Sequence, residues 1–215
     1  ITARSVAPHV SVGSTAKSIV QTDGSIYLKG SKLSLQGYAD PEQFVPYGSM
    51  LANFVGISYG GSLDMDGSEI AIQISEGEND EAFVMSAYGI SGDGPSSAIT
   101  MAGASKIDIG IDMPDVMFVG GALIGGILEI GEGSSLTVVA SSAGETAGVE
   151  ADREIIFTDG VLDSEVTSTE GSPCYGVVCG GLTATITSSE SYLRSVVGSG
   201  VALAADTGEH GDFAV

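Results

Sequence analysis

Leu63-Asp64-Met65-Asp66-Gly67-Ser68-Glu69-Ile70-Ala71-Ile72-Gln73-Ile74 places apolar side chains at alternate positions on both sides of a glycine. Alternation of period two marks a strand with one buried face, so the stretch predicts strand, tight turn, strand. The phrase recurs along the chain. Ile26 and Leu28 lead through Gly30 to Leu33 and Leu35, and Ile99 and Met101 pass Gly103 to reach Ile107, Ile109 and Ile111. Leu128 and Ile130 pass Gly133 to Leu136 and Val138, and Ile155 and Phe157 pass Gly160 to Leu162 and Val166. A looser copy opens at Leu182, Ala184 and Ile186. The opening residues lie 37, 36, 29, 27 and 27 positions apart, a converging period that predicts a solenoid.

A second motif keeps the same period and phase. Between phrases sits a glycine beside an apolar residue, at positions 56, 89, 121, 148, 176 and 200, which are 33, 32, 27, 28 and 24 apart. Each period therefore holds about three short strands, one coil of a right-handed parallel β-helix of about six coils. Coils stacked at about 4.8 Å would align Ile26, Leu63, Ile99, Leu128, Ile155 and Leu182 in one buried ladder. The recurring glycines are expected in turns that need positive φ. A β-sandwich and a trimeric fibre shaft are the rival architectures, but a sandwich requires no fixed period. No amphipathic helical stretch competes. The domain reading is a cap over residues 1–23, a β-helix over 24–205, and a cap or tail over 206–215.

Composition narrows the function classes. The chain has 215 residues, with 28 Asp and Glu against 7 Lys and Arg and a net charge of −21. Nucleic acid is excluded as a partner, because binding there rests on cations that neutralise phosphates. An anionic membrane surface is excluded on the same ground. The longest apolar run, Val116 to Leu128, is broken by glycines and too short to span a bilayer, so no membrane insertion is expected. The chain opens at Ile1 with neither Met nor a signal peptide, which fits a processed product. Cys174 and Cys179 lie five apart, an odd separation that puts them on opposite faces of a straight strand. A turn at Tyr175-Gly176 would allow a disulfide; two buried thiols are the alternative.

Asp152-Arg153-Glu154-Ile155-Ile156-Phe157-Thr158-Asp159-Gly160-Val161-Leu162, with its short strand, glycine turn and second strand, resembles the repeating phrase of the secreted pectin-lyase-like β-helix superfamily. The likeness is one of repeat style over about Gly24 to Ala205, and is nearest to the non-catalytic, carbohydrate-binding, surface-exposed bacterial members. It implies an extracellular or cell-surface role facing a glycan, often with calcium, and singles out no residue.

Candidate chemistry falls on the outward positions. In the first strand of each phrase these are Tyr27, Asp64, Thr100, Glu129, Ile156 and Thr183; in the second, Ser34, Ala71, Asp108, Thr137 and Asp163. Neither column makes a threonine array or an aromatic platform. Asp64 with Asp66, and Asp108 with Asp112 and Asp115, gather carboxylates along a strand or its turn, and are the expected Ca²⁺ ligands, since calcium takes six to eight oxygens. The acidic run from Glu76 to Glu81 is a further candidate. Tyr38, Phe44, Tyr47 and Tyr59, in or near the longer early coils, are the expected sugar-stacking aromatics. A polysaccharide lyase would need a basic residue, and the arginines are Arg4, Arg153 and Arg194. His210 lacks the companion motifs of a polygalacturonase-like site. The expected function is thus a non-enzymatic module that binds a surface glycan or mediates adhesion. The alternatives are a self-associating structural subunit of an appendage or coat, and a polysaccharide lyase.

Overall fold

The computed structural model describes residues 2–6, 16–39, 51–76 and 84–205. Among them the strands, numbered β1 to β20 in chain order, build three parallel sheets, and no segment is helical. The first sheet stacks β1 (Thr2–Val6), β4 (Lys32–Ala39), β7 (Glu69–Glu76), β10 (Lys106–Met113), β13 (Ser135–Ser142), β16 (Val161–Ser168) and β19 (Tyr192–Val197). The second stacks β2 (Ala16–Thr22), β5 (Leu51–Tyr59), β8 (Val84–Gly92), β11 (Phe118–Ile124), β14 (Glu145–Ala151), β17 (Cys174–Cys179) and β20 (Gly200–Ala205). The third stacks β3 (Ile26–Lys29), β6 (Ser62–Asp66), β9 (Ala98–Ala102), β12 (Ile127–Ile130), β15 (Glu154–Thr158) and β18 (Leu182–Thr185). Each strand from β1 to β17 pairs with the strand three places on, which is the topology of a parallel β-helix. Residues 2–6 and 16–22, within the expected cap, supply the first strands of two of the sheets, their backbones pairing with β4 and β5.

The inward ladders form one core. Ile26, Leu63, Ile99, Leu128, Ile155 and Leu182 stand in register through the third sheet. In the first sheet Ile70, Ile107, Leu136 and Leu162 do the same, and all four are buried. Each fully buried Leu or Ile contributes about 1.5–3 kcal/mol of transfer free energy.

Turns between the third and first sheets hold glycines at positive φ, such as Gly67 at 59°, as expected. In the turn between β15 and β16 the strained position is taken by Asp159 at 43°, one residue before Gly160. A serine ladder runs through the first four of these turns. The Ser31 amide donates to Ser68 Oγ at 3.1 Å, the Ser68 amide to Ser105 Oγ at 3.2 Å, and the Ser105 amide to Ser134 Oγ at 3.2 Å. Ser68, Ser105 and Ser134 are buried, so their hydroxyls satisfy amides that water cannot reach.

The glycines of the second motif are a different case. Gly56, Gly89, Gly121, Gly148 and Gly176 lie inside strands of the second sheet, and none has positive φ. They are bends rather than turns. The paired residues run Val55↔Tyr88 and then Ile57↔Ile90, skipping Gly56 and Gly89, and the skip repeats coil after coil. The position after Gly176 in this column is Ala202, not Gly200, because Tyr175 pairs with Val201 and Val177 with Leu203.

Each bend reverses the in–out parity of its strand. Phe54 faces the core, yet so do Ile57 and Tyr59. Tyr59 is therefore fully buried, which removes it from the sugar-stacking candidates. The bend at Gly176 likewise turns both Cys174 and Cys179 inward as buried free thiols. They stay at opposite ends of an extended strand, about 16 Å apart, where a disulfide needs Cα atoms within about 7 Å. No helix among the described residues is long and apolar enough to cross a membrane.

Candidate functional site

Three of the outward side-chain columns of the first sheet, in a register that the pairing fixes, bound the candidate site. One runs Ser34, Ala71, Asp108, Thr137, Asp163 and Arg194. The next runs Gln36, Gln73, Gly110, Val139, Glu165 and Val196, and the third Tyr38, Ser75, Asp112, Ser141 and Thr167. Gly110 leaves a gap in the middle column. The Gln73 carboxamide leans over it, close enough that a Cβ on Gly110 would lie 2.6 Å from Gln73 Nε2. The result is an open groove of about 540 Å³ crossing β7, β10, β13 and β16. Along its middle run Gln73, the Gly110 backbone, Val139, which is 54% exposed, and Glu165. Asp108 and Thr137 form one wall, and Ser75, Asp112, Ser141 and Thr167 the other.

The charges along the groove are partly spoken for. Lys106 Nζ lies 2.9 Å from Asp108, and Arg194 reaches both Asp163 at 2.8 Å and Glu165 at 2.9 Å. Glu165 and Asp163 raise the Arg194 pKa, so its guanidinium stays protonated and is no base. Ser141 Oγ donates to Asp112 at 2.6 Å. What the groove offers is a double row of hydroxyl and carboxylate oxygens with the apolar Val139 between them.

The expected calcium ligands are not gathered together. Asp108 and Asp112 sit on one strand with Cα atoms about 13 Å apart, too far to share an ion. The Asp115 amide donates to Glu76 at 2.9 Å. On the third sheet Asp64 accepts from Ser62 Oγ at 2.7 Å, and Asp66 pairs with Lys29 at 2.8 Å. No group of three His, Cys, Asp or Glu side chains among the described residues is placed to hold a metal ion. Tyr38 is half-buried at the end of its column. Phe44, Tyr47, residues 206–215 with His210, and the acidic run after Glu76 lie outside the described residues. Arg153 is exposed in the corner between the second and third sheets, away from the groove.

Three features escaped the sequence reading. Gln73 and Val139 belong to a middle column that appears only once the coils are in register. The serine after each turn glycine was visible in Gly30-Ser31, Gly67-Ser68 and Gly133-Ser134, and its repetition was the signal. Tyr88 and Tyr175, each opening a copy of the second motif, share an outer column of the second sheet with Gly120 and Ala147. The Tyr88 ring packs beside Phe118 with centroids 5.6 Å apart.

Compared with known family models, curated proteins and solved structures, the chain matches none.

Proposed function

We propose that this β-helix is a non-catalytic polysaccharide-binding module working outside the cell or on its surface, and that it holds an uncharged glycan in the groove of the first sheet. The groove itself carries the reading: a trough with Val139 in its floor and Asp108, Thr137, Asp112, Ser141 and Thr167 along its sides. Sugars present an apolar ring face and a rim of hydroxyls, and this arrangement meets both. The net charge of −21 favours a neutral glycan over an anionic one, whose approach it would oppose. Calcium is not required by this geometry and enters as an arm of the test. Electrophoresis through gels containing neutral and acidic polysaccharides, in calcium and again in chelator, provides that test. Retardation by a neutral polymer in both buffers is expected. Free migration through every polymer would overturn the reading, and retardation only in calcium would return the acidic clusters to the site.

One observation favours a second reading, a self-associating structural subunit. Ile186, Tyr192 and Val196, in the coil that β18, β19 and β20 build, are exposed. The strand edges of a solenoid can extend by taking on another copy. A mass that rises with concentration in light scattering would support end-to-end stacking; a constant monomer mass would end it.

A further inference from the structure

Given that the groove is a polysaccharide site, on which this inference rests, we propose that the polymer lies parallel to the stacking axis and presents one sugar to each step between coils, about three in all. The groove crosses four strands, β7, β10, β13 and β16, one from each of four successive coils. Successive coils repeat at about 4.8 Å, close to the length of one pyranose in an extended chain, so four coils accommodate about three sugars. The repeat fixes the direction. Ser75, Asp112, Ser141 and Thr167 recur once per coil in one column, so a polymer meets a polar group at each sugar when it runs along the stack.

Chemistry repeats with the coils. One wall supplies Asp108 and then Thr137; the other supplies Ser75, the bonded pair of Asp112 and Ser141, and Thr167. Val139 lies under the centre, where the flat face of the middle sugar would rest. Hydroxyl partners on both edges and the apolar Val139 between them fit a flat, equatorially linked ribbon of the β-1,4-glucan or β-1,4-mannan type. A helical glucan would not meet both walls at every coil.

The test is calorimetric titration with β-1,4-linked glucose and mannose oligomers, from the monosaccharide to the hexasaccharide, against the wild-type chain and Gly110→Leu. The Cβ of the added leucine meets the far end of the Gln73 side chain, which is flexible and can swing aside, and a thermal melt verifies that the fold is kept. For the wild type, affinity should climb about five- to tenfold per sugar up to the trisaccharide and then level, as one or two hydrogen bonds per coil would give. Gly110→Leu should lose at least the gain of one sugar. A plateau at the monosaccharide, a rise continuing through the hexasaccharide, no binding of any oligomer, or an unaffected Gly110→Leu would each overturn the proposal. Failure of the glycan reading is distinguishable, because there the long neutral polymers themselves would not retard the chain.

Discussion

Gly89 stacks against Gly121 of the next coil so tightly that a methyl group on Gly89 would lie 2.6 Å from the Gly121 carbonyl oxygen. The same methyl would meet Ile109 Cγ2 of the first sheet at 2.5 Å. The bend column is thus closed from two sides, by the neighbouring coil's backbone and by the core. Gly89→Ala should cost roughly 1–3 kcal/mol through overpacking, seen as a lower denaturant midpoint. Val139→Ala, on an open outer position, should leave the midpoint within about 0.5 kcal/mol.

The serine ladder makes a second prediction. Ser105 Oγ accepts from the Ser68 amide at 3.2 Å and donates to the Ala102 carbonyl at 2.5 Å, with the residue only 1% exposed. Ser105→Ala removes the hydroxyl and strands a buried amide. A loss of about 1–3 kcal/mol is expected in equilibrium unfolding, with faster hydrogen exchange at the Ser68 amide.

Glu150 supplies a pH dependence. Its column neighbours are Leu123 and Val178. Burial raises its pKa above the ordinary 4.5, and the nearby charges of Asp152 and Glu145 raise it further. A carboxyl raised in the folded state contributes stability that is fully present below the unfolded pKa and is lost as pH rises through the folded pKa. Glu150→Gln should therefore melt above the wild type at pH 8 and with it near pH 4. The gain should stay below about 1 kcal/mol, since the group retains contact with water. Equal melting temperatures at pH 8 would contradict the assigned environment.

Cys174 and Cys179 should behave as separate thiols. Burial pushes the Cys179 pKa up, and the charge of Glu154 adds to it, which slows reaction with thiol reagents. The folded chain should label slowly, the unfolded chain should take up label at both cysteines without prior reduction, and reductant should leave the melting temperature unchanged.

How much of this was legible in the sequence follows from side-chain parity. The phrase from Leu63 to Ile74 could be read because strict alternation holds through it, so the outward Asp64 and Asp108 columns were placed correctly. Where a glycine bend interrupts alternation, the reading fails. Counting outward from Phe54 by twos puts Tyr59 on the wrong face, and the same counting sends Cys174 and Cys179 to opposite faces. The bends were in plain view as a repeated motif, but glycine suggests a turn before it suggests a mid-strand shift. The groove was hidden for another reason. Its middle column joins Gln73, Gly110, Val139 and Glu165 across coils of unequal length, and only the pairing of β7, β10, β13 and β16 brings them into line.

The central claim is that the outer face of the first sheet, and no other face, holds an uncharged glycan. Two matched substitutions test it most directly: Val139→Glu in the groove and Val201→Glu on the outer face of the second sheet, both at exposed positions. Their migration is compared with the wild type through gels containing the neutral polysaccharide that retards it most. Wild type and Val201→Glu retarded alike, with Val139→Glu running free, is the predicted result. Equal retardation of all three chains, or no retardation of the wild type by any neutral polysaccharide, would contradict the account.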